Sequence, residues 1–296
     1  MSERQLASLL VALSVLLSPL LTNDITLFII VPLTMNLQAY LKRDITKIVV
    51  FEAIAVNIGS ALTPIGNPQN LFLWHEWGLS FTAFVIRMAP LIATSALLLL
   101  LTVRFSFGEQ KFKAGSYVNE RCNEGLLALS IVLLCGYMVA LELKLIAYAL
   151  LIITLAYALL YRDVLERVDW PVILIFILMF IDFGLISRFA LVAQLMEHLN
   201  QASTGGVFAY ALLASQFISN VPAAVLVSRF SDNWLAIAYG VNVGGNGVVI
   251  ASLANLIALR IVGSRGIWLT FHKYSLIYLS LSASLIYLAL HLHPVS

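Results

Sequence analysis

The side chains of this chain best suited to chemistry are amides, hydroxyls and a carboxylate, gathered at four interruptions of otherwise apolar sequence. Asn57-Ile58-Gly59-Ser60 leads on to Asn70, and Asn242-Val243-Gly244-Gly245 leads on to Asn255. In both copies the asparagines stand thirteen apart, with Gly two after the first. Two shorter interruptions, Thr22-Asn23-Asp24 and Ser219-Asn220-Val221-Pro222, precede the copies in the same order. Such groups hold small cations and hydrogen-bond polar solutes. No Ser/Lys or Ser/His pair and no His-Glu-x-x-His accompanies them, so the constellations of hydrolytic enzymes are missing from the sequence. Binding and passage are expected, and no enzyme.

Each interruption has a plain reading beside a functional one. Thr22 and Asn23 fit the N-cap of a helix starting near Ile25. Capping needs no carboxylate, and an acid inside a membrane is costly, so Asp24 is read as a ligand for H⁺ or Na⁺. Ser219 and Asn220 are read as caps, with Pro222 in the first helical turn, where its missing N–H costs nothing. In the first long break Gly59, Pro64, Gly66 and Pro68 prevent a continuous helix. The half ending near Asn57 then favours a cation, and the half starting near Pro64 or Asn67 favours an anion. Ser60 and Thr63 add hydroxyls. In the second, Gly244, Gly245 and Gly247 interrupt while Asn242 and Asn246 supply amides. Close helix packing explains one glycine in each copy but not the asparagines. Gly244-Gly245-Asn246-Gly247 lacks the Lys-Ser/Thr ending of a phosphate loop. Glu52, Arg87 and Asp182 are further ionisable residues in apolar stretches, read as coupling or counter-charge groups; hydration or pairing at the interface is the plain alternative for Arg87 and Asp182. The five histidines, His272 among them, map outside the spans or to their ends.

The elements that position these residues are membrane helices. Of 296 residues, 61% are hydrophobic and only 11% charged, against a typical ~45–50% and ~25% in soluble domains. The mean hydropathy is +0.97. A net charge of +2, with basic residues between apolar segments, gives no nucleic-acid patch. Cys122 and Cys135 are too few for a disulfide framework or a zinc site. Single spans are expected at Phe81 to Val103, Leu126 to Leu141, Leu145 to Tyr161, Pro171 to Ile186 and Tyr274 to Leu290. Leu6 to Leu41 is expected to be broken at Ser18-Pro19 and at Thr22-Asn23-Asp24, and Val207 to Phe230 at Ser219-Asn220. If both are re-entrant hairpins, the 17 basic residues divide 13, 3 and 1. Thirteen, including Arg4, Lys42, Arg43 and Lys47, share one face; Lys144, Arg188 and Arg229 take the other, and Arg87 is within a span. Positive charge marks the cytoplasm, so the N-terminus is expected there. The hairpins then enter from opposite faces, as inverted-topology repeats require. The fold expected is an all-α polytopic membrane protein with two re-entrant hairpins and two broken transmembrane helices. Residues 1–104 form a first repeat, 105–125 a cytoplasmic linker, 126–291 a second repeat and 292–296 a tail. The first repeat lacks three spans that the second has, and they are expected to precede Met1.

At these residues the chain resembles the ion transporter superfamily, in its citrate-transporter-like and arsenite-permease-like branches, and is similar to bacterial inner-membrane members of that group. The resemblance is carried by Leu21-Thr22-Asn23-Asp24, by Asn57 through Asn70, by Ser219-Asn220-Val221-Pro222 and by Asn242 through Asn255. It implies an inverted-repeat fold around one substrate site, a homodimer and an elevator-like movement. It also implies that Thr22, Asn23, Asn57, Gly59 and Ser60 line a first ion site, with Ser219, Asn220, Asn242, Gly244 and Gly245 forming the second. Where sodium-dicarboxylate symporters carry Ser-Asn-Thr at both tips, this chain has Thr-Asn-Asp and Ser-Asn-Val-Pro. The function expected is secondary transport of a small anion or oxyanion across a bacterial inner membrane, with Na⁺ or H⁺ as coupling ion and no other cofactor. A Na⁺/H⁺ antiporter and a non-transporting membrane scaffold or decayed fragment stay open. The partners expected are the solute, membrane lipid and a second copy of the chain.

Overall fold

The computed structural model describes residues 1–41, 44–111, 123–143, 145–166, 168, 170–186, 188–189, 194, 202–264 and 266–292. Lys42, Arg43, Cys122, Lys144 and 293–296 of the expected tail lie outside them. The described residues form fourteen α-helices and no sheet. The chain divides into two compact units, residues 1–115 with 180–296, and residues 116–179.

The first unit opens with α1 (Glu3–Leu21). Ser2 caps it: its Oγ accepts from Gln5 N at 3.2 Å and its N–H donates to Gln5 Oε1 at 2.8 Å, the reciprocal pairing of a capping box. Sequence pattern places a break at Ser18-Pro19, yet α1 runs through it. Pro19 cannot donate to the Val15 carbonyl, and the helix continues past that lost bond to Leu21. The helix stops at Thr22, and α2 (Asn23–Leu41) begins at once. The equivalent turn joins α10 (Thr204–Ile218) to α11 (Asn220–Val227) through Ser219. Thr22 has φ 69° and ψ 160°, Ser219 φ 72° and ψ 156°. Non-glycine residues hold such angles at a cost of about 1–3 kcal/mol, and only where the surroundings enforce them. Both tips are enforced by contacts described below.

Two helices break. α3 (Thr46–Ser60) and α4 (Pro68–Glu76) are separated by 61–67; α12 (Trp234–Gly244) and α13 (Leu253–Val262) by 245–252, which holds a 3₁₀ turn at Val249–Ala251. Thirteen of the fifteen residues of α3 and ten of the eleven of α12 are buried. A helix apolar on all sides belongs in an interior, and these two form the centre of the unit. Their partners follow a two-fold pattern. α1 packs on α3 and α10 on α12, while α2 packs on α13 and α11 on α4. Each hairpin therefore lays its first arm on its own broken helix and its second arm on the far half of the other.

Long helices close the unit. α5 (Phe81–Ser106) and α14 (Ile267–Leu292) are, with α1, long and apolar enough to cross a membrane. α14 begins seven residues before the expected Tyr274, so Trp268, His272 and Lys273 lie in its first turns rather than in a connection. Polarity ends an apolar run without ending a helix; the stop comes earlier, at Gly263, whose φ of 66° terminates α13. His272 thus lies in the first turns of α14, near the end of a span, and its Nε2 accepts from Val249 N at 3.4 Å.

The second unit holds α6 (Glu124–Glu142), α7 (Ile146–Leu160), α8 (Arg162–Glu166) and the start of α9 (Trp170–Ile186), which runs across the division. α6 and α7 pack together, with Ser130 Oγ and Tyr157 Oη hydrogen-bonded at 2.9 Å. Ile131, Val132, Leu151, Leu155 and Leu159 are exposed. So much apolar exposure is foreign to a water-soluble monomer and suits lipid.

Candidate functional site

Each hairpin tip docks on the break that follows it. Asn23 N donates to Gly66 O at 2.8 Å, and Thr63 Oγ1 donates to Pro19 O at 2.6 Å. Thr22 acts as expected for a cap, its Oγ1 facing Ile25 N at 3.5 Å and its carbonyl accepting from Thr26 Oγ1 at 2.7 Å. At the other tip the expected side-chain cap is not made. Ser219 Oγ turns instead to Asn220 Oδ1 and Ala251 O, both at 3.4 Å.

Gly59 and Gly244 lie in the last turns of α3 and α12 rather than in the breaks, so their part is close approach. A Cβ on Gly59 would stand 2.3 Å from both Val15 O and Ser18 Oγ. One on Gly244 would stand 2.8 Å from Ser215 Cβ and 2.9 Å from Leu212 O. The helix does not yield at these glycines. It ends just after them, where 61–67 and 245–252 turn away. Asn67 caps α4 as expected, with Oδ1 accepting from Asn70 N at 2.9 Å, whereas Pro64 starts no helix.

The two breaks then exchange asparagines. Asn57 Nδ2 donates to Asn255 Oδ1 at 2.8 Å, and Asn242 Nδ2 donates to Asn70 Oδ1 at 2.7 Å. The first asparagine of each copy thus holds the second asparagine of the other. Asn57 Nδ2 also faces Gly245 O at 3.3 Å, and Ser252 Oγ donates to Asn57 Oδ1 at 3.0 Å. Asn242 Oδ1 accepts from Asn67 at 3.0 Å and Gln69 at 3.2 Å, while its Nδ2 also reaches Ala238 O at 2.8 Å. Four bonds fill an amide's capacity. Asn67 further donates to Ser60 Oγ at 3.1 Å, joining that hydroxyl to the network.

Beside this network lies a small cavity with about 10 Å³ open to the centre of a water molecule. α3 and its break line it with Asn57, Ile58 and Ala61, and α12 and its break with Asn242, Val243 and Asn246. α5 contributes Leu91, Ile92 and Ser95, and α14 Tyr278 and Ser282. The lining is amide, hydroxyl and apolar, without a charged side chain. Asn246 Oδ1 is buried and lacks a hydrogen-bond partner, which leaves an acceptor uncommitted on the cavity wall; Gln69 Oε1, in the network but not in that lining, is also unpartnered.

The structure thus brings Asn57, Ser60, Asn67, Asn242, Gly245 and Asn246 together, with Thr22, Asn23, Thr63, Ser219 and Asn220 joined through the docked tips. Asp24 stands one residue beyond the first docked tip, its Oδ1 buried without a partner, and is not in the cavity lining. Glu52 is buried on α3, where Thr34 Oγ1 donates to its Oε1 at 2.5 Å. Arg87 and Asp182 are exposed and take no part in the network. Sequence reasoning missed Gln216. Its Nε2 donates to Gly244 O at 2.6 Å and its Oε1 accepts from Val248 N at 3.0 Å, bridging the second break. A glutamine three residues before the tip, in an otherwise apolar stretch, was the available signal. Gln69 lay inside the string that carries the resemblance without being singled out, and Ser95, Tyr278 and Ser282 had no signal.

The citrate transporter family model matches residues 1–233. The chain belongs to the citrate transporter family. It is 40% identical over 300 residues to inner membrane protein YbiR of Escherichia coli (strain K12), covering all of this chain and 80% of that protein. It is also 40% identical over 259 residues to the uncharacterized transporter MJ0456 of Methanocaldococcus jannaschii, covering 85% of this chain and 69% of that one. A shorter match, 32% identical over 87 residues, covers 29% of this chain and 18% of the silicon efflux transporter LSI3 of Oryza sativa subsp. japonica. The protein is a membrane transporter by family and not an enzyme, and its apolar helices fit a multi-pass membrane protein.

Proposed function

We propose that the chain is a secondary active transporter that moves a small anion or oxyanion across the bacterial inner membrane, coupled to Na⁺ or H⁺. Its solute site is the cavity between the two breaks, built from inverted-topology repeats whose hairpins enter from opposite faces. Residues 1–104 and 126–291 are the two repeats, the N-terminus is cytoplasmic and the working form is a homodimer in lipid. Thr22, Asn23, Asp24, Asn57, Gly59, Ser60, Thr63 and Asn67 form one half of the site. Ser219, Asn220, Asn242, Gly244, Gly245 and Asn246 form the other. The observation that carries this reading is the reciprocal exchange of Asn57 with Asn255 and Asn242 with Asn70, which makes two distant breaks into one polar centre. The starts of α4 and α13 add partial positive charge suited to an anion.

A Na⁺/H⁺ antiporter is the second reading, favoured by the unpartnered buried oxygens of Asp24 and Glu52. Uptake by proteoliposomes tests both. Radiolabelled citrate, arsenite and silicate, supplied under an inward Na⁺ or H⁺ gradient, are expected to include one solute whose uptake the gradient drives and Asp24→Asn abolishes. Undiminished uptake in Asp24→Asn removes that residue's role. Na⁺-driven proton movement without uptake of any of the three supports the antiporter.

A further inference from the structure

Glu52 is an acid fully buried in the centre of the unit, and the fold does not require it. The asparagine copies align α3 with α12 at a shift of 185 residues, which sets Glu52 opposite Ile237. Both positions are fully buried. One repeat thus builds the same central helix with an apolar residue, while the other spends a carboxyl there. Burying an ionised carboxylate without a paired cation is costly enough that it is avoided.

Among the described residues the surroundings offer no such cation. On α3 itself Lys47 bonds Ser106 O and lies over the Phe107 and Tyr274 rings. On α1 Arg4 pairs with Glu109 at 2.7 Å, with Glu3 beside it at the helix start. On α2 Asp24 is ten residues from Thr34, about 15 Å along the helix. Arg104 and Arg87 on α5, Arg260 on α13 and Lys273 on α14 are exposed. On α14 His272 faces Val249 N and Trp268 O, and Tyr278 donates to Ser95 O; on α12 Tyr239 donates to Arg87 O. None of these makes a hydrogen bond or ion pair with Glu52. Its contact is Thr34, and Oε2 has no partner. A single hydroxyl is too poor an oxygen shell for Na⁺. The group this place suits is a proton.

Further polar groups line the contact of α2 and α3. One turn beyond Thr34 on α2, Gln38 Oε1 accepts from Thr46 Oγ1 at 3.2 Å and Ile45 N at 3.0 Å. Thr46 N donates in turn to Asp44 Oδ1 at 2.9 Å, and Asp44 is exposed. Towards the other end, Glu52 stands five residues before Asn57, so its charge is sensed where the two breaks meet.

We infer that Glu52 is the proton-carrying group of the transport cycle, neutral in the arrangement seen here and exchanging its proton with water along the α2–α3 contact. The inference rests on the transporter reading and assigns a residue to its H⁺-coupled form. In the exchange the O–H bond of the acid breaks, the proton passes to water, and a carboxylate remains; on the opposite face water returns the proton.

Infrared difference spectra of the reconstituted protein, between neutral and strongly alkaline buffer, test this without knowledge of the solute. A carbonyl-stretch band of a protonated carboxylic acid is expected at neutral pH, abolished by Glu52→Gln and retained in Asp24→Asn. Thr34→Val, which keeps the shape and removes the hydroxyl, is expected to shift that band; it also serves if Glu52→Gln does not fold. A wild-type protein without the band, or a band indifferent to both variants, overturns the inference. In proteoliposomes Glu52→Gln is expected to lose citrate uptake driven by a proton gradient while keeping citrate counterflow at equal pH. Retained gradient-driven uptake overturns it equally. If the wild type carries no citrate, the transport reading fails for that solute, and the infrared result still decides Glu52.

Discussion

Two asparagines of the same polar centre differ in what they have left to give. Asn242 has all four of its hydrogen-bonding positions engaged, across α4, the first break and its own helix. Asn246, four residues on, keeps a buried oxygen without a partner on the cavity wall. Asn242 therefore holds the two breaks together, and Asn246 is the side chain free to meet a solute. Removing one partner of a buried bond costs about 1–3 kcal/mol for each group orphaned. Asn242→Ala is accordingly expected to lower the melting temperature in detergent clearly, and Asn246→Ala to leave it nearly unchanged while weakening solute binding. Equal losses of stability would contradict this division. The asparagines and their thirteen-residue spacing were legible in the sequence. Their pairing was not, because a crossed contact between positions nearly two hundred residues apart leaves no local pattern. Nor does spacing tell a saturated amide from one with an oxygen to spare.

At the scale of elements, the hairpins and breaks were legible because a polar tip or a Gly/Pro cluster inside an apolar run interrupts the helix that the run would otherwise form. The exact helix ends were not. α1 passes through Ser18-Pro19 with the loss of the one bond that Pro19 cannot donate, and α14 starts before its apolar run because helix formation tolerates polar residues. Gly59 and Gly244 were visible as glycines, yet their part is to admit the hairpin arms α1 and α10. Alanine there meets backbone oxygen that cannot swing aside, at 2.3 Å and 2.9 Å. Such overpacking costs roughly 1–3 kcal/mol. Gly136, in α6, has nothing within 4 Å of a built Cβ, and there alanine gains up to about 1 kcal/mol of helix propensity. Thermal melts should place Gly59→Ala well below the wild type, Gly244→Ala below it by less, and Gly136→Ala at or above it. A neutral Gly59→Ala would mean that α1 and α3 are not so closely packed.

For the whole molecule, composition alone made membrane residence plain. The family match and the transporter relatives agree with it. Orientation rests on the distribution of basic residues and on the two hairpins being re-entrant, and it is open to direct measurement. In a chain with Cys122 and Cys135 replaced, Ser2→Cys is expected to react with a membrane-impermeant thiol reagent from the cytoplasmic side, and Asp232→Cys from the outer side. Labelling of both from one face would mean that one hairpin crosses the membrane completely, and the inverted relation of the repeats would be lost.

The central claim is that the cavity between the exchanged breaks is where solute binds. Ligand binding to the folded state raises apparent stability by mass action, by about 2.7 kcal/mol at a concentration one hundred times the dissociation constant. The most direct measurement is therefore the melting temperature of the purified protein against citrate, arsenite and silicate, each with and without Na⁺, in the wild type and in Asn246→Ala. The account predicts that at least one solute raises the wild-type melting temperature and that Asn246→Ala, folded and otherwise stable, loses the increase. An increase of the same size in both proteins would place the solute elsewhere and contradict it.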